Sequence, residues 1–254
     1  MGKDKIKKWA EIKNFDFVIQ PRIEDVFKKD HLLKGKWAEE YFKNNHPVVL
    51  ELGCGKGEYT ISLAKKWCKK NFIGIDIKGA RIWKGARAVE EMGLKNVCFI
   101  RTRIELINSF FSKNEISEIW LTFPDPQSKR RREKKRLTNP WFLNSYKNFL
   151  IPEGRIHLKT DNFPLFKYTL DIISHNNLEL LYSTPDLYNA EVSYEDLYIK
   201  TFYEKQFIEV GKKIGYLSFR LTNSEPIVTN QSAVHSPQSA VFSRQSTVGS
   251  RQKE

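Results

Sequence analysis

The stretch FPDPQSKRRREKKR, residues 123–136, sets one carboxylate, Asp125, between Pro124 and Pro126, and seven of the eight residues from Lys129 to Arg136 are Lys or Arg. Proline fixes its own φ and restricts the residue before it, so this acid is held at low entropic cost. A fixed carboxylate beside cations suits a site where a bound group gains positive charge while phosphates are seated next to it. Read alone, Pro-Asp-Pro is first of all a plain turn, and the run can be a solvated basic face. A second constellation is VVLELGCGKGE, where Glu51 precedes Gly53, Gly55 and Gly57. Glycines there allow a tight turn and let a ligand approach the backbone at a helix start. The Gly-x-Gly-x-Gly spacing differs from the Gly-x-Gly-x-x-Gly that cradles a dinucleotide pyrophosphate. The next apolar run, NFIGIDI, carries Asp76 where an acid can take the hydroxyls of a ribose. Further on, GRIHLKTD supplies Asp161, and KTFYEKQF supplies Thr201, Tyr203 and Glu204, which is also a plain helix-capping pattern.

These residues need elements to position them. Between residues 47 and 221 short β-branched runs alternate with helical patterns: VVLEL, ISLAKKW, NFIGIDI, ARIWKGARAVEEM, VCFIRT, EIWLTF, WFLNSYKNFL, GRIHLKT, FPLFKYTLDIISH, LELLYST, TFYEKQFIEVGKK and IGYLSFRL. Such alternation predicts a mostly parallel seven-stranded sheet with helices on both faces, an α/β Rossmann-like fold. Ligands of open α/β sheets bind beyond the carboxyl ends of the strands. EIWLTF is the fourth strand and GRIHLKT the fifth, so Asp125 and Asp161 are expected on the same edge as the glycine loop.

The 254 residues are 40% hydrophobic and 13% aromatic, enough for a globular core and one main domain. A net charge of +13 points to a polyanion as partner. Cys54, Cys68 and Cys98 have no metal-ligand spacing and imply no disulfide framework, so they are read as reduced, buried small hydrophobes of a cytoplasmic protein. No apolar run is long enough to span a membrane and the N-terminus has no apolar signal region. The Lys-rich head, residues 1–30, is expected to be a partly ordered arm, and residues 31–221 the main α/β domain. From Gln231 the chain repeats QSAVHSP, QSAVFSR and QSTVGSR, with one apolar position per repeat and Pro237 inside, so no coiled-coil seam exists. Residues 222–254 are therefore expected to be a disordered tail.

The glycine loop with Asp76 resembles the class I S-adenosylmethionine-dependent methyltransferases. With FPDP and its basic run ending in RLT, the strand-five KTD and the late Thr-x-Tyr-Glu, the stretch from about Phe15 to Leu221 resembles the bacterial tRNA (guanine-N7)-methyltransferase family. The resemblance implies S-adenosylmethionine as cofactor and methyl transfer to the variable-loop guanine at position 46 of tRNA. It further implies that Glu51, Gly53, Gly55, Gly57 and Asp76 bind the cofactor and that Asp125 lies at both cofactor and reacting base. Lys129, Asp161, Thr201, Tyr203 and Glu204 would contact the substrate nucleotide. Gln127 stands where many relatives have Trp. Arg103 stands where many have an acid or amide near the adenine, so it is not counted among the cofactor residues. Guanine N7 has an available lone pair, so the reaction asks for positioning and electrostatic support rather than a strong base. No metal is expected, and the sequence is compatible with a monomer or a homodimer. Alternatives are another S-adenosylmethionine-dependent RNA methyltransferase or a catalytically inactive RNA-binding relative. Enzymes that methylate the amino groups of adenine or cytosine usually place an aromatic after the strand-four prolines, where this chain has Gln127.

Overall fold

The computed structural model describes Lys8 and residues 10–229. The apolar runs form β1 (Val18–Ile19), β2 (Val48–Leu52), β3 (Asn71–Asp76), β4 (Val97–Arg101), β5 (Ile116–Thr122), β6 (Leu150–Thr160), β7 (Glu179–Thr184) and β8 (Gly215–Arg220). They make one sheet in the order β1-β4-β3-β2-β5-β6-β8-β7, in which β8 runs antiparallel to both its neighbours. Parallel strands covered on both faces bury every side chain, and VVLEL and NFIGID are buried throughout. The helices that cover them are α1 (Glu58–Lys66), α2 (Gly79–Met92), α3 (Pro140–Tyr146), α4 (Phe163–His175) and α5 (Phe202–Glu209). One face of the sheet packs around Trp37, Phe110, Phe149 and Phe219, the other around Tyr59, Phe99, Trp120 and Tyr216.

Several expectations are corrected. The sheet has an eighth strand, because the head supplies β1: Val18 pairs with Phe99 and Ile19 with Ile100. Ile12, Phe15, Val18 and Val26, all inside the expected arm, are buried. The helix read through residue 150 stops at Tyr146, since Phe149 O accepts the amides of Glu115 and Ile116 and so commits this backbone to the start of β6. The last helix ends at Glu209, ahead of Gly211 at φ 74°, a left-handed stop. Cys54 and Cys98 are buried as expected, but Cys68 is exposed. Packing also continues past residue 221. Ile227 is buried, its carbonyl accepts from Asn144 Nδ2 at 2.8 Å, and Val228 N donates to Asn176 Oδ1 at 2.8 Å. The side-chain amides of Asn144 in α3 and Asn176 just past α4 thus give residues 227 and 228 the backbone partners that their own composition does not advertise. The repeats from Gln231 lie outside the described residues.

Candidate active site

Strands β2 to β6 are parallel, so their carboxyl ends share one edge, and the chain order reverses between β2 and β5. A crevice is expected at that reversal, and one is found. A cavity of about 360 Å³ is lined by Asp76, Thr102, Arg103, Asp125 and Gln127 among others. A smaller cavity of about 70 Å³ is lined by Glu51, Gly55, Thr122, Thr201 and Tyr203 among others. Gly53, Arg81 and Phe123 line both, so the two are arms of one cleft.

The glycine loop builds its floor. Gly53 N and Cys54 N both donate to Ile75 O, which ties the loop to β3. Gly53, Gly55 and Gly57 all have positive φ, 78°, 58° and 70°, a region that other residues enter only at a cost. Their roles nevertheless differ. A Cβ on Gly57 would lie 2.5 Å from the Phe99 ring, whereas a Cβ on Gly53 or Gly55 would meet nothing within 4 Å. Gly57 therefore serves packing, and Gly53 and Gly55 leave room for a ligand. Asp76 accepts from Gly55 N at 3.0 Å and Lys78 N at 2.7 Å, which joins the loop to the start of α2. Each carboxylate oxygen has a second lone pair to offer. Glu51 is 4% exposed and accepts from Thr60 N at 2.8 Å and from the hydroxyls of Thr60 and Thr122. Burial disfavours its charged form and pushes its pKa up to about 7, against the opposing pull of those donors.

The rim is organised by the backbone. Phe123 and Gln127 have φ of 49° and 46°, conformations that cost about 1–3 kcal/mol each and persist only where their surroundings enforce them. Phe123 N donates to Lys159 O at 2.8 Å, and its ring packs on Phe207. Asp125 stays exposed between them, its Oδ1 accepting only from Gln127 N at 3.0 Å among the described residues. The basic run divides. Arg136 turns inward, with Nε donating to Pro126 O at 3.1 Å and its guanidinium 4.4 Å over the Tyr168 ring. Arg130–Lys135 forms a 3-10 turn with no buried residue.

The remaining expected substrate residues are only partly brought together. Thr201 and Tyr203 line the cleft. Glu204 lies behind it, fully buried, 2.8 Å from Lys159 Nζ and bonded by Tyr188 Oη at 2.8 Å, and it completes a capping box with Thr201. Asp161 pairs with Lys212 at 2.7 Å and lines neither arm of the cleft, and Lys129 is likewise outside both. The structure adds residues that sequence reasoning missed. Arg81 lines both arms from the first turn of α2, a position readable from its place just after the Asp76 strand. Lys56, between two of the glycines, sets its ammonium 4.1 Å over the Phe202 ring. Gln127 Oε1 is buried without a hydrogen-bond partner among the described residues, leaving an acceptor at the cleft.

The geometry has counterparts in known proteins. A family model described as "Putative methyltransferase" matches residues 45–217. The chain is 53% identical over 221 residues to a tRNA (guanine-N(7)-)-methyltransferase of Christiangramia forsetii, covering 87% of this chain and 99% of that one. It is 47% identical over 221 residues to a protein of the same name from Bacteroides thetaiotaomicron, covering 87% of each. Among solved structures, the 16S rRNA methyltransferase KamB superposes with a TM-score of 0.55 at 11% identity, over 73% of this chain and 92% of the other, which speaks for the fold alone. With a family match across residues 45–217, which hold the cleft, and such identity to its relatives, the chain belongs to the tRNA (guanine-N7)-methyltransferase family.

Proposed function

We propose that this protein transfers the methyl group of S-adenosylmethionine to N7 of a tRNA guanine, the variable-loop guanine at position 46. The observation that carries the reading is the exposed Asp125, held at the lip of the cleft that Gly53 and Asp76 line, with uncommitted cations directly after it. The residues present fit the cofactor: Gly53 and Gly55 leave the space a Cβ would fill, and Glu51, Asp76 and Asp125 complement a ligand that carries positive charge. When bound, it supplies a methyl group on a positively charged sulfur. Asp76 would hold the ribose, Glu51 and the glycine loop the amino-acid end, and Gln127 Oε1 offers an acceptor to a ligand amino group.

The chain's own work is positioning and charge support. N7 needs no proton removed, so no general base is required. Asp125 orients the guanine and stabilises the positive charge that grows on its purine ring, with orientation alone worth several kcal/mol. Thr201 and Tyr203 complete the substrate side of the cleft. Lys129 and the outward arginines hold the backbone of a nucleotide that must leave the tRNA stack, which costs a few kcal/mol. Glu204 acts on the site through Lys159 and its capping box with Thr201, while Lys212 holds Asp161 outside both arms of the cleft. Incubation with labelled S-adenosylmethionine and unmodified bulk tRNA, followed by N7-specific chain cleavage, tests the reading. Cleavage at position 46 is expected. Label at another atom, or cofactor binding without transfer to any tRNA, would overturn it.

A further inference from the structure

A separate cavity of about 650 Å³ opens beside the cleft, within the size range of sites for small ligands. Arg130, Lys134 and Lys135 line one side and Trp141 another. Lys135, Glu105 and Phe142 also line the larger arm of the cleft, so the two spaces adjoin. Trp141 is an aromatic that folding leaves half exposed, at 52%, yet its position is fixed. Its amide donates to Asn139 Oδ1 at 3.0 Å at the start of α3, Pro140 precedes it, and its ring stands edge-on to Phe142 at 4.7 Å. A pre-set indole face sharing a cavity with exposed cations is the combination that binds single-stranded nucleic acid, because every base can stack and every phosphate can pair.

We propose that this cavity is a second nucleotide subsite for the same tRNA, in which an unpaired base stacks on Trp141 while its phosphates meet Arg130, Lys134 and Lys135. The inference rests on tRNA being the substrate. Glu105 and Glu133, also on the wall, are acceptors for base amino groups. The competing occupant is the chain's own segment after Thr229, the last described residue, which itself lines the cavity. That segment carries Arg244, Arg251 and Lys253 against the single acid Glu254, so its charge repels the cations that a tRNA phosphate would pair with. The subsite gives the run from Arg130 to Lys135 a task beyond general attraction: it grips a second nucleotide beside the one that reacts.

The test uses the full chain and unmodified tRNA, with binding measured across a salt series and cofactor affinity measured beside it. Trp141→Ala should weaken tRNA binding by roughly five-fold or more, the loss expected for one stacked base, with the salt slope unchanged. Trp141→Phe should restore most of it. Lys134→Ala with Lys135→Ala should instead lower the salt slope. Cofactor affinity and melting temperature should stay at wild type in Trp141→Ala. Ultraviolet crosslinking of tRNA to the wild-type chain should map to the peptide containing Trp141. Unchanged or tighter tRNA binding in Trp141→Ala, or a crosslink that spares that peptide, would overturn the subsite. If the wild type binds tRNA but methylates none, the proposed reaction fails while the stacking result stands. If it methylates tRNA and Trp141→Ala binds like wild type, the subsite alone fails.

Discussion

Glu51 and Asp125 lie on neighbouring parallel strands or just past them, at the same sheet edge, and face opposite situations. Glu51 is buried and surrounded by donors from Thr60 and Thr122. Asp125 is exposed and takes one backbone amide, with its position set by strained neighbours and flanking prolines. The same division runs through the cations. Arg136 is committed to Pro126 O and Tyr168, while Arg130, Arg131 and Arg132 remain outward. Groups whose hydrogen bonds the protein has already filled shape the cleft, and groups left open are the ones the proposed reaction assigns to chemistry and to gripping the tRNA. The difference lies in how many bonds each residue has left to give, not in residue type.

The largest expected effect falls on the open side. Asp125→Asn keeps the shape and the bond from Gln127 N but removes the charge, so single-turnover methylation with saturating tRNA and cofactor should fall roughly 10²-fold, with both ligands still bound. Near-normal turnover in a folded variant would remove Asp125 from the site and leave it as a turn residue. Asp76 tests a group of mixed standing, since it both ties Gly55 to Lys78 and faces the cleft. Asp76→Ala should lower cofactor affinity about tenfold or more, charge-assisted hydrogen bonds being worth about 1.5–3 kcal/mol each. Calorimetry that shows intact cofactor affinity would place the ribose elsewhere.

Among the cations, the triple change of Arg130, Arg131 and Arg132 to Ala should flatten the salt dependence of tRNA binding and spare melting. Arg136→Ala should do the reverse, lowering the melting temperature and turnover through the loosened Asp125 loop with little change in salt slope. Identical behaviour of the two variants would erase the inward and outward division.

Much of this was legible in the sequence, for physical reasons. The seven main strands and the edge that gathers Gly53, Asp76 and Asp125 follow from periodicity and from the rule that parallel sheets bind at their carboxyl ends. What stayed hidden depends on long-range packing. Nothing local says that Glu204 meets Lys159 across 45 positions or that Asp161 is taken by Lys212. Val18 and Ile19 are too short a run to read as a strand until Phe99 and Ile100 are beside them. Trp141 looks like a core residue in its helical pattern, and only the fold shows that it faces outward.

The smallest effect is the most specific to the closed side, and it turns on pH. The folded pKa of Glu51 is raised by burial to about 7, from 4.5. Its contribution to stability is therefore fully present below about pH 4.5, where it is protonated in both states, and is lost as pH rises to about 7. His157 opposes it. Burial lowers its folded pKa to about 3 from 6.5, so the unfolded chain takes its proton first and stability falls as pH drops below about 6.5. In the wild type the two slopes offset one another between about pH 4.5 and 6.5. Glu51→Gln keeps the size and the hydrogen bonds from Thr60, and it removes one of the slopes. Its stability relative to wild type, read from urea midpoints, should rise steadily from pH 5 to pH 7.5. Cofactor affinity follows the opposite logic, since a positively charged ligand favours the ionised carboxylate: wild-type affinity should climb a few-fold as pH passes 7, and that of Glu51→Gln should stay level. A flat stability difference would show that Glu51 titrates as an ordinary surface acid and does not belong among the filled, cleft-shaping groups.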